Sequence, residues 1–132
     1  MPRITWFEYF TEDAEKDLAF YKAAFGWEFT KWESPMMQYW LVMTAPKDST
    51  EPGINGGLLP RKSVTPVNGA AVNAFVCTIQ VENYADIEGK ILAGGGTVAV
   101  PKFAFPGMAW QGYYKDTEGN IFGLHQTDKE AK

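Results

Sequence analysis

The chain carries one histidine, His125, and one cysteine, Cys77. Imidazole is the side chain whose ordinary pKa lies within reach of neutral pH, so His125 is a candidate general acid or base. It falls in residues 121–126, which read as a strand entered through the turn DTEGN at 116–120. Gly123 stands two residues before it, although glycine offers a strand no side chain to pack and more backbone entropy to lose. Glu8 is the second candidate. Trp6 and Phe10 flank it, and an aromatic setting raises a carboxyl pKa and suits it to proton transfer. Asp116, Glu118 and Asn120 read as turn residues, because Asx side chains bond back to their own backbone. Cys77 lies in the apolar run 74–81 and reads as a small buried hydrophobe. A lone cysteine forms no intrachain disulfide, so nothing calls for an oxidising compartment.

The elements that must position these residues come in two similar sets. Residues 4–10 alternate with a period of two and read as a strand. Asp13 can cap a helix, Leu18, Tyr21 and Phe25 form one apolar stripe, and Gly26 can close the helix. Strands are expected at 27–32, 38–44 and 54–59. The order then repeats about 70 residues on: a strand at 74–81, Asn83 as cap, a stripe of Tyr84, Ile87 and Ile91, and closure at Gly94, Gly95 and Gly96. Strands at 97–100, 109–115 and 121–126 follow. The expected fold class is therefore α+β, one domain over 1–132, with βαβββ modules at 2–60 and 74–127 and a polar, proline-punctuated connector at 61–73. One helix covers one face of a four-stranded sheet, so pairing two modules is expected to enclose a cleft between curved mixed sheets.

Bulk properties narrow the partners. With 132 residues, 45% of them apolar and 15% aromatic, the chain has the means to build a core. A formal charge of −4 with scattered Lys and Arg argues against a nucleic-acid partner. The opening MPRITWFEYF has no long apolar segment, and no run approaches the length of a membrane span. A cytoplasmic protein with no membrane partner is the expectation.

The segments FEYFTEDAEKDLAFYKAAFGWEF (7–29), NGG (55–57), VENYADIEGKILAGGGTV (81–98) and YYKDTEGNIFGLHQ (113–126) resemble the vicinal oxygen chelate superfamily. This is the group of glyoxalases, bleomycin-resistance proteins and extradiol dioxygenases. Within it the chain is most similar to small bacterial proteins related to lactoylglutathione lyase. The resemblance implies that group's fold and a homodimer. It also implies where metal ligands would stand, on the first and fourth strand of each module. Seven residues before the helix cap come Trp6 in the first half and Val76 in the second. On the last strand, the Glu of a GNxxEL pattern is replaced by Gly123 of GNIFGL, and the first half offers Gly56, Gly57 or Leu58. None of these ligates through a side chain, so the expectation is no metal and no cofactor. Gly123 is expected instead to open volume in the cleft floor.

If Trp6, Val76 and Gly123 face the cleft, alternation brings Glu8, Phe10, Thr78, Gln80 and His125 to the same side. Tyr39, Trp40, Trp110, Tyr113 and Tyr114 lie on middle strands, and in each adjacent pair one ring faces the cleft and the other the helix. The expected ligand-binding set is Trp6, Phe10, Tyr39, Trp40, Val76, Thr78, Gln80, Trp110, Tyr113 and Gly123, with Glu8 and His125 as catalytic candidates. FAFPGMAW (103–110) reads as a Pro-Gly loop over the cleft mouth. Three functions stay open at this point. The first is metal-independent binding of a small, partly apolar or aromatic molecule, as in sequestration or resistance. The second is a lactoylglutathione-lyase-like lyase or isomerase using Glu8 or His125. The third is a structural or regulatory dimer without ligand.

Overall fold

Two helices organise the chain, and each starts where its cap stands. The Asp13 carboxylate accepts from the Lys16 amide at 3.2 Å and opens α1 (Ala14–Phe25). Gly26 closes it in the left-handed region at φ 74°, a conformation that costs glycine nothing. Asn83 accepts from the Asp86 amide at 3.0 Å and opens α2 (Tyr84–Ala93), which ends at Gly94. The computed structural model describes residues 1–71 and 75–132. They divide into two compact units, residues 6–75 and residues 76–132 with 1–5.

The first unit is a βαβββ module: β1 (Arg3–Thr11, from Trp6 onward in this unit), α1, β2 (Glu28–Lys31), β3 (Trp40–Met43) and β4 (Gly56–Pro60). Its strands run in the order β2-β3-β4-β1. β1 and β4 are parallel, with Glu8 beside Gly57, and the other pairs are antiparallel. Phe7, Tyr9, Val42 and Leu58 form the core, against which Ala14, Leu18 and Tyr21 of α1 pack. Burying Leu58 and Val42 fully is worth about 1.5–3 kcal/mol each. Phe25, the third member of the expected stripe, is instead exposed at the helix end, with its ring tilted against those of Tyr21 and Trp27. Phe25 is the last helical residue before the Gly26 C-cap, where the helix has already run past the core.

The second unit repeats the scheme: β5 (Val76–Gln80), α2, β6 (Thr97–Phe105), β7 (Ala109–Lys115) and β8 (Ile121–Thr127), in the order β5-β8-β7-β6. The expected strand start at 74 lies outside the described residues. Val81, Tyr84, Tyr114 and Leu124 form this core, with Ile87 and Ile91 of α2 packed on it as expected. β6 runs well beyond the expected end at 100, through Pro101. Proline removes a ladder donor. The strand absorbs it because β6 is the last in its order and its register with β7 shifts between Val100 and Phe103. Phe103 and Phe105 are therefore strand residues paired with Gln111 and Ala109, and only 106–108 form the connection. The expected long loop at 103–110 is a tight hairpin closed by the Met108 amide on the Phe105 carbonyl at 2.9 Å.

Candidate functional site

In the first module, Phe7 and Tyr9 point to the helix-side core, so Trp6, Glu8 and Phe10 lie on the other sheet face. There Tyr39, just ahead of β3, binds both ends of a polar triad. Its hydroxyl accepts from the Trp6 indole N–H at 2.9 Å and donates to Glu8 Oε2 at 3.0 Å. Glu8 and Tyr39 are only 6% and 7% exposed. Burial, and then the Glu8 carboxylate beside it, raise the Tyr39 pKa, so the phenol keeps its proton and donates. Gly57 makes the arrangement possible, because a Cβ there would stand 1.8 Å from the Tyr39 oxygen. The Trp32 ring meets Tyr39 edge-on, with centroids 5.8 Å apart.

The second module builds a related centre from different side chains. β5 and β8 are parallel, with Thr78 beside Gly123 and Gln80 beside His125. On the other side of β8, Gln111 and Tyr113 of β7 pair with His125 and Gly123. Gln111 spans the face: its Nε2 donates to Thr78 Oγ1 at 3.5 Å, and its Oε1 lies 2.7 Å from His125 Nδ1. Thr78 and Gln111 are buried, and burial lowers the pKa of the half-buried His125. The expectation that Gly123 opens empty volume is corrected. A Cβ at that position would stand 2.4 Å from Thr78 Oγ1, 2.9 Å from Gln111 Nε2 and 3.2 Å from the Tyr113 ring. The space that glycine vacates is filled by the polar bridge.

The remaining candidates fall on both sheet faces. Phe10 is half-buried and pairs with Leu59, Val76 is buried on the Thr78 side of β5, and Gln80 is exposed with its amide 3.5 Å from the Thr127 hydroxyl. Trp40 and Trp110 do not join these groups. Trp40 packs on the first core, and Trp110 packs on the second. The Trp110 indole donates to Asp128 at 3.0 Å, and the Lys102 ammonium lies 4.3 Å from a Trp110 ring centroid. Each corrected tryptophan has the opposite strand parity from its polar neighbour, Tyr39 or Gln111, and so faces the helix side. Gln111 itself went unnoticed in the sequence. Its signal was a lone amide inside an aromatic strand, paired in register with the only histidine.

Metal donors are missing where the resemblance would place them. Glu8 pairs with Gly57 as Thr78 pairs with Gly123, which identifies Gly57 as the first module's counterpart of Gly123. Indole, isopropyl and two hydrogens at Trp6, Val76, Gly57 and Gly123 do not fit a divalent cation. Among the described residues, no three His, Cys, Asp or Glu side chains form a group able to hold one.

Residues 3–45 match the family model described as bleomycin resistance protein-like N-terminal. Similar solved structures extend over the whole chain. A glyoxalase/bleomycin resistance protein/dioxygenase superfamily member from Vibrio splendidus is 15% identical, with 96% of this chain and 99% of that one covered and a TM-score of 0.62. A methylmalonyl-CoA epimerase in complex with methylmalonyl-CoA and ammonium is 16% identical, covering 100% and 99% at a TM-score of 0.65. A Streptomyces coelicolor methylmalonyl-CoA epimerase in complex with 2-nitronate-propionyl-CoA is 15% identical, covering 98% and 97% at a TM-score of 0.64. No curated protein matches the sequence. The two βαβββ modules and these matches show an α+β fold that this chain has in common with the glyoxalase/bleomycin resistance protein/dioxygenase structure and the epimerases. The chain shares the fold of those structures, and its first third matches the bleomycin-resistance-like model.

Proposed function

We propose that the protein binds a small, partly apolar or aromatic molecule on the sheet faces turned away from its helices, without a metal ion, and that it sequesters the molecule it binds. The observation that carries this reading is the Trp6–Tyr39–Glu8 triad. A buried carboxylate is costly to keep, and here an aromatic hydroxyl and an indole are spent on orienting it. A stable core would gain more from an apolar residue at that position. Aromatic rings beside oriented polar groups are the usual lining of a small-molecule site. The bleomycin-resistance-like first third supports sequestration, and the solved epimerases named above hold CoA esters on the same fold.

A second reading, an acid–base lyase or isomerase, draws on the same carboxylate. Glu8 is held as a positioned base would be, and His125 is held at one nitrogen. Thermal-shift measurements on chelator-treated protein test the binding reading. Phenols, aryl ethers, indole and benzoate form a suitable panel. At least one compound is expected to raise Tm, since a ligand of the folded state alone must do so. The Tyr39→Phe variant should lose that rise. A panel with no effect on wild type overturns the reading.

A further inference from the structure

His125 is set up as a hydrogen-bond acceptor. Gln111 Oε1, an atom that can only accept, lies 2.7 Å from Nδ1, so Nδ1 carries the proton. A neutral imidazole has a single N–H, which leaves the lone pair on Nε2. This is the less common tautomer of free histidine, and a second group must hold it in place. That group is Gln111, whose amide nitrogen points to Thr78 Oγ1 at 3.5 Å in the space Gly123 leaves. Among the described residues Nε2 has no partner. Burial works against the imidazolium, so the lone pair is available at neutral pH.

The neighbouring residues on that face are aromatic. Phe103 and Phe105 share the Gln111 side of β6, with ring centroids 5.3 Å apart, and Tyr113 lies beside Gly123 on β7. Flat rings next to one neutral acceptor suit a flat ring that carries one donor.

Building on the small-molecule reading above, we propose that the second module binds an aromatic hydroxyl, which donates to His125 Nε2, and that Gln111 is the positioning residue that sets the imidazole tautomer. An aliphatic or purely apolar ligand would leave Nε2 unsatisfied, and an anion would meet a lone pair.

The single histidine makes the test unambiguous, because every imidazole signal in a nitrogen-15 spectrum belongs to His125. At neutral pH the wild type should show the Nδ1–H tautomer. Gln111→Met, with circular dichroism confirming the fold, should move it toward Nε2–H. Gln111→Glu keeps an acceptor and should retain Nδ1–H. 4-Cyanophenol should shift the Nε2 resonance and bind about tenfold more tightly than its methyl ether, 4-methoxybenzonitrile, the difference of one hydrogen bond. In Gln111→Met that preference should shrink toward none. An Nε2–H tautomer in wild type overturns the proposal, as does an Nε2 signal indifferent to the phenol. Equal affinity for phenol and ether removes the donor assignment while leaving small-molecule binding intact. Binding of neither compound overturns the proposal and counts against the function proposed above.

Discussion

Tyr9 buries its hydroxyl against the first module's core with no hydrogen-bond partner among the described residues. Burial is also the main reason its pKa is raised. An unsatisfied buried hydroxyl costs about 1–3 kcal/mol, so Tyr9→Phe should leave stability unchanged or raise it by about 1 kcal/mol. Urea denaturation measures this, and a clear loss would mean that the hydroxyl has a role. Tyr84 and Tyr114 differ, since their hydroxyls bond each other at 2.8 Å and Tyr114 donates to Glu88. Tyr39 is fully engaged, and Tyr39→Phe strips both Trp6 and Glu8 of a partner. It should cost about 1–3 kcal/mol in the same experiment. Gly57→Ala and Gly123→Ala should each cost about 1–3 kcal/mol, because the new methyl displaces Tyr39 in one case and Thr78 and Gln111 in the other. A neutral result at either glycine would show that the polar bridge yields easily. His125 adds a pH dependence with a defined sign. Its folded pKa lies below the unfolded value of about 6.5, so its contribution is complete above that pH. It declines as pH falls below about 6.5 and levels off once the folded imidazole is protonated too. Denaturation midpoints at pH 8 and at pH 5.5 should therefore draw closer together in His125→Gln than in wild type.

At the scale of the element, both helices were legible because a cap, a stripe and a closing glycine agree over a dozen residues. Strand ends were less so. β6 continues through Pro101 because its place at the end of its module's order tolerates a missing donor, and a linear sequence does not show which strand is outermost. Strand parity failed for the same reason at β3, which starts at Trp40, so adjacency alone could not tell Tyr39 from Trp40. Glu8 and His125 were readable from residue type and spacing. Gln111 was not, since its role depends on cross-strand register. The DTEGN turn was readable from chemistry: Asp116 Oδ1 accepts from the Glu118 and Asn120 amides at 2.9 and 3.0 Å. The Asn120 side chain first, and then these amides, lower the Asp116 pKa. Asp116→Ala should therefore lower the denaturation midpoint and fray the entry to β8 in amide exchange. Ligand affinity should change little, and a collapse of affinity with an unchanged midpoint would move Asp116 from the turn to the site.

Across the whole molecule, one solution appears twice. In each module a glycine on the last strand sits beside the first strand, and a side chain from the third-strand region crosses the space it leaves. Tyr39 reaches Glu8 over Gly57, and Gln111 reaches Thr78 over Gly123. Hydrogen-bonded side chains thus fill the space that Gly57 and Gly123 leave, on a fold shared over nearly the full chain with a solved superfamily structure. Among the described residues no helix is long and apolar enough to cross a membrane. On the function proposed above, this chain binds its small molecule through these polar centres and not through a metal. The most direct test is the ligand-induced rise in Tm for the aromatic panel, measured on chelator-dialysed protein and again after adding zinc, nickel, iron or manganese. The chelated protein should show a rise that added metal leaves unchanged. A rise that appears only after metal is supplied would contradict that function.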